Sequence, residues 1–311
     1  MVKVSFVCPV FNKFKYLPKV LKSINNQVGY FEKEIIFIND GSSDDSLKYL
    51  RNETRNSKNV KILSQKNKGP ASATQRGISS ATGDYIKLVG GDDIMSPKCT
   101  NILLETITKT NSVAVFSNFQ LLPNYENINF KNTKTKIVKI LDNPLEDTIR
   151  SCFSGTTPNL YCAKTVKKAG GCDTRLFIED FSLVLRLSKY GRFVFIDNIT
   201  SVGPANDKLR IMIGKKQQLI HDYNAALYYF LIDNNDINKK CRVLACKKSL
   251  GRSEKWLRRI EKQGIITRFN LLRFWYYLRR SQELFFLKES CKIFYEKGEK
   301  SGIRYRINYS P

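Results

Sequence analysis

The sequence predicts an α/β fold: a mostly parallel, Rossmann-like sheet flanked by helices over residues 1–205, and a basic, aromatic-rich helical extension over 206–311. Three observations predict it. Short apolar runs alternate with segments of helical period through the first 120 residues. Three of those runs end in clusters of Gly, Asn, Asp and Ser. Beyond residue 207 the period is helical, and basic charge concentrates there: residues 201–311 hold 24 Lys and Arg against 10 Asp and Glu, +14 of the net +25.

Taken in order, Val4–Val10 is a short apolar run through Pro9, as expected of a strand buried on both faces. Leu17, Val20, Leu21, Ile24 and Val28 recur at helical spacing. Glu34–Ile38 is a second buried strand, stopped by Asn39-Asp40-Gly41-Ser42, with Ser43 placed to cap a helix through Leu47 and Leu50. Val60–Leu63 is a third strand; Gly69-Pro70 then breaks the chain before a small-residue helix over Ala71–Ala81. Tyr85–Val89 and Val113–Phe116 are the fourth and fifth strands. Strand, helix, strand, helix at this spacing argues for right-handed βαβ units. Between 120 and 200 the pattern is more broken, with an amphipathic helix opening at Glu179-Asp180 and a strand at Phe193–Ile196. In the extension, Leu219, Ile220, Tyr223, Leu227 and Leu231 share a helix face.

With 42% hydrophobic residues, disorder and collagen-like repeats are excluded. A net charge of +25 predicts a polyanionic partner: nucleic acid, an anionic membrane surface or a phosphorylated ligand. None of the eight cysteines forms a CxxC and the one histidine is His221, so a Cys/His zinc site is not expected. The N-terminal residues lack a signal-peptide core, and no apolar run approaches the ~18 residues of a spanning helix. The expectation is a cytoplasmic chain with reduced thiols.

In open α/β sheets ligands bind beyond the carboxyl ends of the strands. Those ends here read Pro9-Val10-Phe11-Asn12, Asn39-Asp40-Gly41-Ser42-Ser43-Asp44 and Gly90-Gly91-Asp92-Asp93. Adjacent carboxylates such as Asp92 and Asp93 repel unless a cation or donor offsets them, and a divalent ion carrying a diphosphate satisfies such a pair. Each cluster alone also reads as a solvated turn or helix cap, and Glu179-Asp180 as carboxylates complementing a helix dipole. Their order on successive βα units favours one site. No GxGxxG follows the first strand and no GxxxxGK[ST] occurs.

The segments VSFVCPVFNKFKYLPKVLKSINNQ, EIIFINDGSSDDS, NKGPASATQRGISSATGDYIKLVGGDDIMSP and GGCDTRLFIEDFSLVLRLSKYG carry a resemblance. The chain resembles the family 2 glycosyltransferases of bacterial type, inverting nucleotide-sugar transferases with a GT-A fold. The resemblance implies that the sheet binds nucleotide, with Pro9, Phe11 and Asn12 framing the base, Asp40 contacting it, and Lys68, Gly69 and Gly91 beside the nucleotide. It places Asp92 as the ligand of Mn²⁺ or Mg²⁺, with Asp93 as a further candidate. Asp180 is the general base and Glu179 supports it. Two departures stand out: Gly90 replaces the first aspartate of the family's Asp-x-Asp, and Ala73-Thr74-Gln75 replaces an Ala-Arg-Asn. An additional ligand is sought among Asn206, Asp207 and His221, though His221 reads more simply as a packed or surface histidine.

The expected function is metal-dependent inverting transfer from a nucleotide-diphosphate sugar, a UDP-sugar first, to a saccharide acceptor, lipid-linked or free, in cell-surface glycan synthesis. A nucleotidyltransferase is the alternative but lacks its Gly-rich basic loop after strand one. A non-catalytic nucleic-acid binder leaves Asp40, Asp92 and Asp180 without a role, so nucleic acid is not an expected partner. The run FNLLRFWYYLRR in the extension suits either a helix lying on an anionic membrane surface, at the inner face of the cytoplasmic membrane, or a packed subdomain with solvated charges.

Overall fold

A computed structural model of the chain describes residues 1–123, 128–130, 134–151, 153, 155, 157–205, 216–261, 268–279, 282–297 and 304. β1 (Lys3–Val10), α1 (Leu17–Asn25), β2 (Glu32–Asn39), α2 (Ser46–Thr54), β3 (Val60–Ser64), α3 (Pro70–Ser80) and β4 (Tyr85–Leu88) form the first half of the fold. β5 (Ile94–Met95), α4 (Cys99–Thr110), β6 (Ala114–Leu122), β7 (Ile137–Leu141), α5 (Leu145–Arg150), β8 (Asn159–Cys162), α6 (Ala163–Lys168), α7 (Asp180–Leu187) and β9 (Phe193–Pro204) complete the sheet and its cover. The helices α8 (Lys216–Asp233), α9 (Lys239–Glu261), α10 (Arg268–Arg279) and α11 (Glu283–Lys297) follow.

The strands run in the order β3-β2-β1-β4-β8-β6-β9-β5, with β7 paired to β9. β1 pairs in parallel with β2 and β4, and β2 with β3, so the carboxyl ends of β1, β2 and β4 share one edge. Beyond β4 the sheet is mixed: β8 is antiparallel to both β4 and β6, β6 and β9 are parallel, and β5 and β7 run against β9. An apolar run records that a strand is buried, not which way it points. The direction of β8 follows from the path of the long connection before it.

Along β1, Phe6 and Cys8 enter one apolar cluster with Leu17 and Leu103 of α1 and α4, while Val7 enters another with Ile78 and Leu183 of α3 and α7. Both faces are covered, as a non-alternating strand requires. The small residues of α3 let it lie close to the sheet: a Cβ on Gly77 would meet Val7 Cγ1 at 2.4 Å and Ile38 Cδ1 at 2.6 Å. At the end of α4, Asn111 takes the left-handed conformation (φ 45°) that closes a helix, a residue type that tolerates it. A third cluster joins Phe177, Ile178 and Phe181 to Leu227, Phe230, Trp256, Tyr276 and Phe294 of the C-terminal helices.

Ser43 does not cap α2. Its N–H and hydroxyl both donate to Asn12 Oδ1, and Asp44 Oδ1 instead accepts from Ser46 N at 3.0 Å. On α8 the buried stripe contains Leu227 and Leu231 but also Gln218, His221, Asp222 and Asn224, a polar core that the apolar spacing did not predict. The tail aromatics divide: Trp256, Tyr276, Phe286 and Phe294 are buried, whereas Phe274, Trp275 and Tyr277 are exposed. No described helix is long and apolar enough to cross a membrane. The seven described cysteines are free. Asn206 and Asp207 lie outside the described residues.

Candidate active site

A cavity of about 690 Å³ opens at the carboxyl edge of β1, β2 and β4. Pro9, Phe11, Asp40, Gly91, Asp92 and Asp180 all line it. Three separate turns and the start of α7 thus deliver these six predicted residues to one space.

Asp40 directly follows β2 and is buried, so its charge must be met by donors. Oδ1 accepts from Lys68 N and Gln65 Nε2, and Oδ2 from Gly69 N, all at 2.8 Å. The carboxylate thereby holds the loop before α3 against the cavity, with Gly69 at φ 91° in a conformation that favours glycine. Lys68 contributes its backbone there; its side chain is exposed and does not line the cavity. Asn12 sits at φ 53°, and its side chain ties the end of β1 to the turn after β2 through Ser43. Pro9 and Phe11 border the cavity, whereas Asn12 and Gly69 do not line it.

The Gly90-Gly91-Asp92-Asp93 turn separates its two carboxylates. Asp92 Oδ2 lies 2.5 Å from Lys13 Nζ, with the lysine side chain 4% and the aspartate 13% exposed. Asp93 Oδ2 accepts the hydroxyl of Thr157, which in turn accepts from Gly90 N at 2.8 Å. A Cβ on Gly90 would come 2.5 Å from Asp93 Oδ2, so the glycine and the inward pose of Asp93 belong together. Beneath the turn, Lys87 of β4 is fully buried and donates to the carbonyls of Thr157 and Asn159, its pKa pushed down by burial.

Among the described residues no group of three or more His, Cys, Asp or Glu side chains is placed to hold a metal. Among the described residues Asp40, Asp92, Asp93, Glu179 and Asp180 all border the cavity. Asp40 is tied to the loop before α3 and Asp93 to Thr157, which leaves Asp92 as the carboxylate of this turn that can turn to an ion. That donor set fits a hard divalent ion brought in with a diphosphate, because Mg²⁺-like ions are commonly held by one or two carboxylates plus substrate phosphates.

Asp180 opens α7, where a carboxylate complements the helix dipole, and its Oδ1 accepts from Phe181 N at 2.7 Å. The segment before it is clamped from the C-terminal region. Asp222 of α8, fully buried, accepts Phe177 N at 2.7 Å and Ile178 N at 3.1 Å through Oδ2. Its Oδ1 meets Gln218 Nε2 and His221 Nδ1, both at 2.8 Å. His221 is therefore a packed histidine partnered with Asp222.

Sequence reasoning missed Lys13, Lys87, Thr157 and Asp222. A lysine inside the buried YIKL strand was the one available signal; the others show only through partners distant in sequence. It also missed the far wall of the cavity, where Phe116 and Phe195 stack at 5.1 Å and Phe153 meets Phe195 edge-on at 4.9 Å.

The family model "Glycosyl transferase family 2" matches residues 5–159, which carry Asp40, Asp92 and the strands that position them. The chain belongs to glycosyl transferase family 2. Among relatives, a chondroitin synthase of Escherichia coli is 33% identical over 111 residues, 36% of this chain and 16% of that protein. The chain spans between 16% and 38% of the length of the first curated relatives it matches. Among solved structures, TarS 1–349 of S. aureus in complex with UDP-GlcNAc has a TM-score of 0.59 at 15% identity, covering 96% of this chain and 82% of that one. A mannosyltransferase from Pyrobaculum calidifontis, in complex with GDP-Man and Mn²⁺, has a TM-score of 0.58 at 13% identity, covering 94% and 87%. These likenesses extend through the C-terminal helices and confirm the GT-A fold.

Proposed function

We propose that this family 2 member is a metal-dependent inverting glycosyltransferase that moves a sugar from a UDP-sugar to a saccharide acceptor in cell-surface glycan synthesis. The observation that carries the reading is the convergence of Asp40, Asp92 and Asp180 on one cavity, from three separate segments. The nucleotide lies between Pro9, Phe11 and the loop that Asp40 holds, beside Gly69 and Gly91, with Asn12 and Lys68 shaping this wall through the turns they anchor. The UDP-GlcNAc complex of a protein sharing the fold supports the choice of donor.

Asp180 removes the proton from the acceptor hydroxyl as that oxygen attacks the anomeric carbon, and the bond from that carbon to the diphosphate breaks. Glu179, at the N-cap of α7, borders the same cavity beside Asp180. When bound at Asp92, Mn²⁺ or Mg²⁺ supplies charge neutralisation for the departing diphosphate. Asp93, held by Thr157, shapes the turn rather than offering a ligand. The stacked Phe116 and Phe195 offer a flat apolar wall on which an acceptor ring can lie.

A lipid-linked acceptor and peripheral attachment to an anionic membrane belong to the same reading. Leu271, Phe274, Trp275 and Leu278 of α10 are each more than half exposed, and their i, i+3, i+4, i+7 spacing makes one outward stripe. On the inward side Tyr276 is buried, and Glu254 of α9 accepts from Asn270 and pairs with Arg273. The extension thus packs on the catalytic part and still presents an apolar stripe among basic residues.

The test is transfer beside donor affinity in Asp180→Asn. Turnover is expected to fall about 10²–10⁴-fold, as for loss of a positioned base, with UDP-sugar affinity kept. Undiminished turnover removes Asp180 as the base.

A further inference from the structure

Asp92 has a cation partner within the chain. Lys13 Nζ lies 2.5 Å from Asp92 Oδ2, both side chains are largely buried, and both border the cavity. The lysine is held in place along its length. Its backbone N–H donates to Ser46 Oγ at 2.9 Å, and its carbonyl accepts Tyr16 N and Leu17 N at the start of α1. Its stem runs beside Gly91, where an added Cβ would meet Lys13 Cγ at 3.1 Å. This is a placed ammonium, unlike the mobile lysines of a protein surface.

We propose that Lys13 couples divalent-cation binding to donor binding: it holds Asp92 until a nucleoside diphosphate is present, then turns its ammonium to the diphosphate. The inference rests on the donor reading above and adds the control of the metal position. Lys13 and Asp92 together carry no net charge, so they attract a free dication weakly. Gly90 adds no carboxylate, and Asp93 is committed to Thr157. Asp92 becomes an available ligand only when Lys13 releases it. A diphosphate, with its multiple negative charges, offers the ammonium a stronger partner and supplies the oxygens a hard ion needs. Removing the ammonium leaves a carboxylate with unbalanced charge, which binds a dication on its own.

The experiment uses the full chain as wild type, Lys13→Gln and Lys13→Arg. Bound Mn²⁺ is read from the loss of its free-ion paramagnetic resonance signal, with and without UDP, and UDP binding is read by calorimetry. In the wild type, UDP is expected to tighten Mn²⁺ binding about tenfold or more, within the usual 5–150-fold range of site coupling. Lys13→Gln is expected to bind Mn²⁺ alone at least about tenfold more tightly than wild type and to lose most of the enhancement by UDP. Lys13→Arg, which keeps the charge, should resemble wild type. Tight Mn²⁺ binding by the wild type without UDP overturns the proposal whatever the variants do. If UDP binds but Lys13→Gln takes Mn²⁺ no better than wild type, the pair is structural only and the proposal fails while the donor reading stands. If no nucleoside diphosphate binds the wild type at all, the donor reading fails first.

Discussion

Asp222 links the C-terminal helices to the segment that leads into Asp180, the proposed base, and its removal is predicted to affect both stability and turnover. The carboxylate accepts four donors inside the protein: two backbone N–H groups at Phe177 and Ile178, Gln218 Nε2 and His221 Nδ1. In Asp222→Ala all four lose their acceptor in a site closed to water. Hydrogen bonds to charged groups contribute about 1.5–3 kcal/mol each, and breaking a buried charged hub typically costs about 3–5 kcal/mol because the losses are not additive. At about 2–4 °C per kcal/mol for a large domain, melting should fall by roughly 10 °C. The loop two residues ahead of Glu179 and Asp180 loosens with it, so turnover should drop more than donor affinity. Asp222→Asn keeps one carbonyl oxygen for Phe177 and Ile178. His221 can change tautomer to meet the new NH₂, but Gln218 is held through both ends of its amide by the backbone of Arg304 and cannot flip without losing those bonds, so this variant should cost about 1–3 kcal/mol. Thermal and urea melts beside steady-state kinetics decide it. An Asp222→Ala protein that melts with wild type and turns over normally refutes the clamp.

Two further outcomes follow from the structure. The buried Glu34 of β2 has its carboxyl pKa at about 2 against an ordinary 4.5: burial pushes it up, but hydrogen bonds from Lys61, Ser5 and Thr82 outweigh that. A depressed carboxylate adds stability above pH 4.5 that is lost as pH falls toward 2, up to about 3 kcal/mol before discounting the half-exposed Lys61. Glu34→Gln should therefore flatten acid denaturation between these pH values, and an unchanged pH slope counts against it. On α10, replacing Leu271, Phe274 and Leu278 together with Ser should cut flotation with anionic liposomes severalfold while leaving the melting temperature within about 2 °C, because these side chains point outward. Full flotation removes the membrane reading; a large loss of stability shows that the stripe is packed.

Residues close in sequence settled much of the outcome. The runs of β1, β2 and β4 and the small-residue period of α3 were legible because burial on both faces and close helix approach leave local patterns, and the half-buried edge strand β3 was legible from its short apolar run. So was the gathering of Asp40 and Asp92 at one sheet edge, since parallel βα units bring their strand ends to the same side. Asp180 was legible as the start of a helix, but only the packing of α7 brings it to the cavity. Tertiary structure alone decided the direction of β8, the split of the tail aromatics between core and surface, and every polar partnership across the chain. Lys13 reaches Asp92 over 79 positions, and Phe177 reaches Asp222 over 45. A periodic apolar pattern reports which face of an element is buried. A buried charge reports only that it needs a partner, and the partner is set by where distant elements come to rest.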